Sequence, residues 1–145
     1  MQLRLLLVDD EKAFTESLSE RLRARDFHVE TADSGEAALE KLKQFNFDVV
    51  ILDVRMPGMG GIAALKGIKE LKPLTEVLML TGHGTVETAI EGMKLGAYDF
   101  LMKPCEMEVL LEKIKGAHER KWKHEERIRK ALADELSTSP LSVLK

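Results

Sequence analysis

A short apolar run near the middle of the chain limits the possible folds more than any other feature. Residues 49–52 read Val-Val-Ile-Leu, and Asp53 follows them directly. Four consecutive apolar residues are typical of a strand that is buried on both faces. The next segment, residues 55–61, contains one proline and three glycines, so it cannot continue a regular strand. Asp53 is therefore predicted to lie at the carboxyl end of a central strand, where ligands bind in open α/β sheets.

Four other strands are predicted along the chain, and a segment with helical spacing of apolar residues follows each of the five. The predicted strands cover residues 3–8, 28–32, 49–52, 77–81 and 98–102, and the helices begin near residues 12, 34, 62, 85 and 106. Ser34 and Thr85 are predicted to cap two of these helices at their amino ends. The alternation predicts an α/β fold, in which helices cover both faces of a doubly wound five-stranded parallel sheet.

The last predicted helix is expected to continue well beyond the sheet. Basic residues outnumber acidic ones between residues 115 and 130, and a loose apolar stripe persists, formed by Trp122, Ile128, Leu132 and Leu136. The segment 137–140 is predicted to end this helix and to leave the last residues mobile. We therefore predict two parts, a domain over residues 1–118 and a C-terminal helical extension with a mobile tail over residues 119–145.

Composition excludes several other classes of protein. The chain has 145 residues, of which 44% are apolar and 32% are charged, as in an ordinary globular domain. A net charge of −3 gives no reason to expect nucleic acid or an anionic membrane as a partner. Cys105, the single cysteine, excludes an intrachain disulfide and is consistent with the cytoplasm. The sequence shows neither a signal peptide nor an apolar run of about 20 residues that a membrane span needs.

Polar residues follow four of the predicted strands, and a parallel sheet would bring them to one edge. These residues are Asp9, Asp10, Asp53, Thr81 and Lys103. Three carboxylates in close proximity repel one another unless a cation is present, and Mg²⁺ prefers a few carboxylates together with water and phosphate oxygens. An ammonium and a hydroxyl suit a phosphoryl group, and a carboxylate can act as its acceptor. The residues alone therefore predict a Mg²⁺-assisted phosphoryl site.

These residues also lie in motifs that resemble the receiver domain of two-component response regulators. The resemblance covers about residues 3–118, and its motifs are Asp9-Asp10, Asp53-x-x-Met56-Pro57-x-x-x-Gly61, Thr81-Gly82 and Phe100-x-x-Lys103-Pro104. Each motif is weak alone, whereas the ordered set, with each motif at the end of an apolar strand, is specific. The loop 82–84 and the stretch 94–100 are most similar to receivers that are attached to transcriptional activators.

The resemblance implies a flavodoxin-like strand order, 2-1-3-4-5, and a role for each carboxylate. Asp53 would accept a phosphoryl group from a sensor histidine kinase. Asp10 and Asp53 would bind Mg²⁺ directly, together with the backbone carbonyl of Arg55, and Asp9 would act through a water molecule. The resemblance therefore implies a phosphorylated signalling switch that uses Mg²⁺.

The resemblance also implies how the phosphoryl group would be sensed. Thr81 and Lys103 would bind its oxygens, Thr81 and Phe100 would form the conformational switch, and the peptide bond between Lys103 and Pro104 would be cis. By residue type alone, Phe100 is more typical of a core residue than of a switch, and only the resemblance favours the switch. Tyr98 is expected to be a surface aromatic residue.

The expected partners follow from the same resemblance. The output face would consist of the fourth helix, the fifth strand and the fifth helix. Besides the histidine kinase, a homodimer through this face or through the C-terminal helix is favoured, and the alternative for that helix is a linker to an effector domain. Direct nucleic-acid binding and membrane binding are not expected, because no helix-turn-helix and no apolar span follow in the sequence.

Two other functions remain open at this stage. A Mg²⁺-dependent phosphatase with an aspartyl nucleophile commonly has a second aspartate two residues later, but Arg55 occupies that position and no cap domain fits the length. A binding module with the same fold would not switch, although the acid pair, Asp53, Thr81 and Lys103 argue against this. Arg55 and His83 are either variable loop residues or determine how long the phosphoryl group survives.

Overall fold

Strands and helices alternate along the chain, as the sequence predicts. The computed structural model describes residues 2–56, 58–82 and 85–138. The elements are β1 (Arg4–Val8), α1 (Lys12–Arg23), β2 (His28–Ala32), α2 (Gly35–Gln44), β3 (Val49–Leu52), α3 (Gly61–Leu71), β4 (Glu76–Thr81), α4 (Val86–Lys94), β5 (Asp99–Met102) and α5 (Met107–Thr138). The α/β class and the long C-terminal helix are confirmed, whereas the predicted mobile tail lies outside the described residues.

The five strands form one parallel sheet in the order β2-β1-β3-β4-β5. This is the order that the receiver resemblance implies. The central strands β1, β3 and β4 are in register near their ends, where Val8 pairs with Leu52 and Leu52 pairs with Met79. Between β4 and β5, Thr81 pairs with Met102. The loops that follow β1, β3, β4 and β5 therefore meet along one side of the sheet, which we name the carboxyl edge.

Alternate side chains of each strand point to opposite faces of the sheet and form two cores. One core packs against α2 and α3, and its buried members include Leu6, Val50, Val77, Leu42 and Leu65. The other packs against α1 and α5, and its buried members include Leu5, Ile51, Leu78, Leu22 and Ile114. Each such side chain contributes roughly 1.5–3 kcal/mol by leaving water. The need to fill two cores explains why the central strands are continuous apolar runs rather than alternating ones.

Local capping sets the ends of two helices that flank the carboxyl edge. The Ser34 hydroxyl accepts a hydrogen bond from the Ala37 amide at 3.0 Å, and the Thr85 hydroxyl accepts one from the Thr88 amide at 3.1 Å. Gly96 follows α4 with a φ of 102°, a conformation that favours glycine. The predicted caps and the predicted stop after the fourth helix are therefore present.

Several details differ from the sequence expectations. β1 and β5 each begin one residue later than predicted. β4 begins at Glu76, one residue earlier than predicted, and this charged side chain is buried. Tyr98 is half-buried against the core formed by α1 and α5, so its interpretation as a surface residue was wrong. The physical reason is that α5 crosses over the tyrosine ring at Gly116, where a Cβ atom would overlap the Tyr98 hydroxyl.

The edge strand β2 carries an exposed ionic group. Glu30 lies 3.3 Å from His28 and 3.4 Å from Lys41. Burial alone would raise the pKa of the Glu30 carboxyl, but the hydrogen bonds with His28 and Lys41 outweigh it and lower the pKa. The Glu30 side chain is 26% exposed, so solvent weakens these pairs.

Helix α5 has 32 residues and continues far beyond the sheet. Every described side chain from 127 to 137 is exposed. The apolar stripe predicted on this helix is also exposed and consists of Trp122, Ile128, Leu132 and Leu136. Despite the length of α5, none of the helices in the described ranges is apolar enough over a sufficient length to span a membrane.

Candidate functional site

The backbone hydrogen bonds of the sheet continue one residue beyond two strands and position two predicted site residues. The Asp53 amide donates to the Val8 carbonyl at 2.9 Å, so Asp53 is held beside the end of β1. The Lys103 amide donates to the Thr81 carbonyl at 2.8 Å, so Lys103 is held beside the end of β4. Main-chain geometry therefore fixes both residues at the carboxyl edge, independently of their side chains.

Three aspartates lie together at this edge. One carboxylate oxygen from each of Asp9, Asp10 and Asp53 lies within 4.8 Å of the others. Asp9 and Asp53 are 2% and 3% exposed, whereas Asp10 is exposed. Carboxylate oxygens are the ligands that hard divalent cations prefer, and an exposed third ligand leaves a route for water. The donor set therefore fits Mg²⁺.

The Lys103 ammonium lies among these carboxylates. Its Nζ atom is 2.6 Å from an Asp9 oxygen, 3.1 Å from a Glu11 oxygen and 3.8 Å from an Asp53 oxygen. The same atom lies 3.9 Å from the centroid of the Phe14 ring, within range of a cation–π contact. Lys103 is therefore held between the strand ends and the start of α1.

The loop after β3 folds closely back on itself. The Arg55 amide donates to a carboxylate oxygen of Asp53 at 3.2 Å, and the Arg55 side chain is exposed. The Gly61 amide donates to the Val54 carbonyl at 2.8 Å, and a Cβ atom at position 61 would overlap the Val54 backbone. Gly60 has a φ of 74°, which favours glycine. This loop explains the glycines that follow Asp53 in the sequence.

The proposed sensing residues lie on β4 and β5, the two strands that follow β3 in the sheet. Thr81, the last residue of β4, is fully buried. Phe100 is half-buried and packs against the core formed by α2 and α3. The peptide bond between Lys103 and Pro104 is cis, as the resemblance implies. The four motifs of the sequence thus converge on one side of the sheet.

A family model for the response regulator receiver domain matches residues 5–115. The chain belongs to this family. Receivers in general accept a phosphoryl group on an aspartate, bind Mg²⁺ at an acidic pocket and interact with histidine kinases. This receiver therefore combines the fold of a phosphorylated signalling domain with an acidic cluster at the expected edge.

Individual relatives agree with the family. The transcriptional regulatory protein ZraR of Escherichia coli is 42% identical over 113 residues, which are 78% of this chain and 26% of ZraR. The transcriptional regulatory protein FixJ of Bradyrhizobium diazoefficiens is also 42% identical over 113 residues, which are 78% of this chain and 55% of FixJ. The beryllofluoride-activated receiver domain dimer of NtrC4 superposes with a TM-score of 0.77 at 43% identity, covering 81% of this chain and 98% of that one.

The receiver spans about a quarter of the length of ZraR and about half of that of FixJ. Both relatives are named transcriptional regulatory proteins. The expectation that nucleic acid is not a partner therefore receives no support from the comparisons.

The electrostatics of the receiver site show an excess of negative charge. Burial raises the pKa of the Asp9 carboxyl, and the neighbouring Asp53 carboxylate adds to the rise, whereas hydrogen bonds from Lys103 and the Glu11 amide oppose it. Burial alone would lower the pKa of the Lys103 ammonium, but its hydrogen bonds to Asp9 and Glu11 outweigh this and raise it. The pKa values of both groups are therefore raised, that of Asp9 chiefly by burial and that of Lys103 by its hydrogen bonds to the carboxylates. A bound cation would relieve this imbalance.

The structure brings Asp9, Asp10, Asp53 and Lys103 together at the carboxyl edge, and Thr81 ends β4 there. Phe100 lies two residues before the end of β5 and packs against the core formed by α2 and α3. His83 lies outside the described residues. Two contributors were missed by the sequence interpretation, namely Glu11 and Phe14. Glu11 directly follows the acid pair, and that position was the available signal for a further acid at the site. Phe14 lies in the first turn of α1, and nothing in its spacing along the sequence indicates a contact with Lys103.

Proposed function

We propose that Asp53 of this receiver accepts a phosphoryl group from a sensor histidine kinase in a Mg²⁺-dependent reaction. Phosphorylation then changes the face formed by α4, β5 and α5. The observation that carries this proposal is the clustering of buried Asp53 with Asp9 and Asp10, 3.8 Å from the Lys103 ammonium. The proposed reaction takes place in the cytoplasm.

In the proposed site, Asp10 and Asp53 bind Mg²⁺ directly, the backbone carbonyl of Arg55 provides a third ligand, and Asp9 acts through water. The clustered carboxylate oxygens and the hydrogen bond from the Arg55 amide to Asp53 support this assignment. When bound, Mg²⁺ supplies positive charge beside the carboxylates and the incoming phosphoryl oxygens.

The transfer itself uses one carboxylate oxygen of Asp53. This oxygen forms a bond to phosphorus while the phosphorus–nitrogen bond to the kinase histidine breaks, and the imidazole leaves as a neutral group after it takes up a proton. Lys103 and Thr81 bind the transferred oxygens, and the ammonium neutralises their charge. The proximity of Lys103 to Asp53 supports this role.

The proposed switch involves Thr81 and Phe100. The new phosphoryl oxygens draw Thr81 and Lys103 toward Asp53, and Phe100 moves from its half-buried position further inward. A shift from 1:99 to 99:1 between two states requires about 5.5 kcal/mol of differential interaction. Charge-assisted hydrogen bonds contribute roughly 1.5–3 kcal/mol each, so a few are sufficient.

The proposed output face carries exposed apolar side chains. Its exposed large apolar residues are Val86, Ile90 and Met93 on α4, Met102 on β5 and Val109 on α5. Clustered exposed apolar residues are typical of interaction sites. We assign this face, or the exposed stripe of α5, to a homodimer. The receiver domain of NtrC4, a relative of this chain, forms a dimer when it is activated by beryllofluoride.

Acetyl phosphate with MgCl₂ tests the phosphoryl acceptor directly. The intact protein should gain the mass of one phosphoryl group, and the gain should be lost in Asp53→Asn and in excess EDTA. Asp33→Asn is the matched control, because Asp33 is an exposed aspartate that follows β2. Phosphorylation of Asp53→Asn to the same extent as the wild-type chain would refute the assignment.

Two further measurements separate the alternatives. Repeated turnover of a free phosphomonoester would favour a phosphatase over a signalling switch, which we expect to show none. The lifetime of the phosphorylated protein should change in Arg55→Ala if Arg55 shields the phosphoryl group, and an unchanged decay rate would reject that role.

The mass in solution with and without beryllofluoride tests the proposed dimer. Ile90→Lys should abolish assembly through the α4 face, whereas Leu132→Lys should abolish assembly through α5. A monomer in both conditions, or assembly that survives both substitutions, would contradict the proposed interfaces.

A further inference from the structure

A buried carboxylate lies at the opposite end of the sheet from Asp53. Glu76 is the first residue of β4, and it is 2% exposed. Arg120 of α5 holds it with two hydrogen bonds, from Nη2 to one oxygen at 2.7 Å and from Nε to the other. Such a paired arrangement is the strong form of an arginine–carboxylate contact. A buried carboxylate depends on such a partner, because without one its charge is left unsolvated.

Arg120 is the main partner of Glu76. Lys69 of α3 lies 3.6 Å from Glu76, but its ammonium also donates to the carbonyls of Pro73 and Thr75 at 3.0 Å each. Lys69 is therefore bound chiefly to the loop between α3 and β4. Of these two cations only Arg120 belongs to α5, so its contact links this helix to the start of β4.

Arg120 also contacts the turn between α4 and β5. Its Nη2 atom lies 3.5 Å from the Gly96 carbonyl, and its guanidinium lies 4.9 Å from the centroid of the Tyr98 ring. The Tyr98 hydroxyl in turn packs over Gly116 of α5. We name Glu76, Gly96, Tyr98, Gly116 and Arg120 the amino-edge cluster, because they join α5 to the end of the sheet where the strands begin.

Beyond this cluster, the side chains of α5 become exposed. Lys121 lies 3.5 Å from Asp48 and 3.1 Å from Glu125 on its own helix. The described side chains from 127 to 137 are all exposed. The contacts that orient α5 against the sheet therefore lie nearer its start, at the buried residues Leu110, Ile114 and Ala117 and at residues 116–121.

We propose that the Glu76–Arg120 ion pair fixes the direction in which α5 leaves the sheet and joins this helix rigidly to the turn between α4 and β5. Arg120 is a positioning residue in this arrangement and has no contact with the phosphoryl site. The inference does not depend on the proposed phosphorylation of Asp53, because the contacts are present in the unphosphorylated protein. It extends the structured unit beyond residue 118, where the sequence predicts the domain to end.

Pulsed electron paramagnetic resonance can measure this direction in the full chain. In a Cys105→Ser background, nitroxide labels at Glu40→Cys on α2 and Arg129→Cys on α5 report the distance between the sheet layer and the distal helix. Both positions are exposed. A second label pair, Glu112→Cys and Arg129→Cys, reports whether α5 itself stays straight.

The expected result is a narrow distance distribution between α2 and α5 that becomes about twofold broader in Arg120→Gln and in Glu76→Gln. Either change removes one charge of a pair whose carboxylate is buried. The distribution within α5 should stay narrow in every variant. Arg127→Gln, an exposed arginine on the same helix, is the matched control and should leave both distributions unchanged.

Unchanged widths in Arg120→Gln would overturn the proposal, as would equal broadening in Arg127→Gln. If Arg120→Gln fails to fold, Arg120→Lys keeps the test informative, because lysine retains the charge but not the two parallel hydrogen bonds. That variant should broaden the α2–α5 distribution to an intermediate extent, and a width equal to that of the wild-type chain would reject the inference. These measurements use no phosphoryl donor. A negative result would therefore reject the role of the Glu76–Arg120 pair without bearing on Asp53 as the phosphoryl acceptor.

Discussion

Replacing Asp53 with asparagine should stabilise the metal-free receiver, although it removes the proposed acceptor. Two unit charges 4.8 Å apart repel by about 3.5 kcal/mol at an effective dielectric constant of about 20. Asp53 experiences this repulsion from both Asp9 and Asp10, against an attraction of about 4.4 kcal/mol to Lys103 at 3.8 Å. The two repulsions together exceed the one attraction, so these interactions disfavour a negative charge on Asp53. Because Asp10 is exposed, screening reduces the expected gain to about 1–2 kcal/mol.

The same substitution should remove most of the stabilisation by Mg²⁺. A ligand at a hundredfold excess over its dissociation constant stabilises the folded state by about 2.7 kcal/mol. For a domain of this size each kcal/mol raises the melting temperature by about 2–4 °C. The wild-type chain should therefore gain about 5–11 °C from Mg²⁺, whereas Asp53→Asn should start about 2–8 °C higher in EDTA and gain much less, since it lacks a direct ligand.

Thermal unfolding followed by circular dichroism measures both effects. Samples in MgCl₂ and in EDTA need equal ionic strength, set with NaCl, so that general screening does not imitate binding. Asp33→Asn controls for the loss of a carboxylate elsewhere at the sheet edge and should behave as the wild-type chain does. A lower melting temperature of Asp53→Asn in EDTA, or equal gains from Mg²⁺ in both proteins, would refute the reasoning about charge at this cluster.

Three further substitutions have effects that follow from single contacts. Gly61→Ala should lower the free energy of unfolding by about 1–3 kcal/mol or more, because the added Cβ would overlap the Val54 backbone; an unchanged denaturation midpoint in urea would contradict this. Gly116→Ala should also destabilise the protein, and a Tyr98→Phe background should relieve most of that loss, because the overlap is with the tyrosine hydroxyl; equal losses in both backgrounds would exclude this cause. Glu30→Gln should reduce the loss of stability on acidification. The pKa of Glu30 is lower in the folded state than in the unfolded state, so its carboxylate stabilises the fold above the unfolded-state pKa. This stability is lost as the pH falls through the folded-state pKa. Identical unfolding free energies of the two proteins from about pH 5 to about pH 3 would argue against it.

The strands, their order of occurrence and the polar residues at their ends are properties that the sequence by itself determines. The run before Asp53 is apolar at every position because a strand covered on both faces needs apolar side chains on both, and this signal is local. The glycines after Asp53 and the caps at Ser34 and Thr85 are local as well, since each concerns residues within a few positions of one another. The strand order followed from the motifs of the family, because periodicity alone does not say which strands are neighbours.

Contacts between residues far apart in the chain were decided only by the tertiary structure. Glu11 and Lys103 are 92 positions apart, and Glu76 and Arg120 are 44 apart. No periodic pattern indicates that a glutamate at the start of an apolar strand is buried against an arginine on another element. The charge of such a residue predicts exposure, and only the packing of α5 across the amino ends of the strands provides the partner that makes its burial possible.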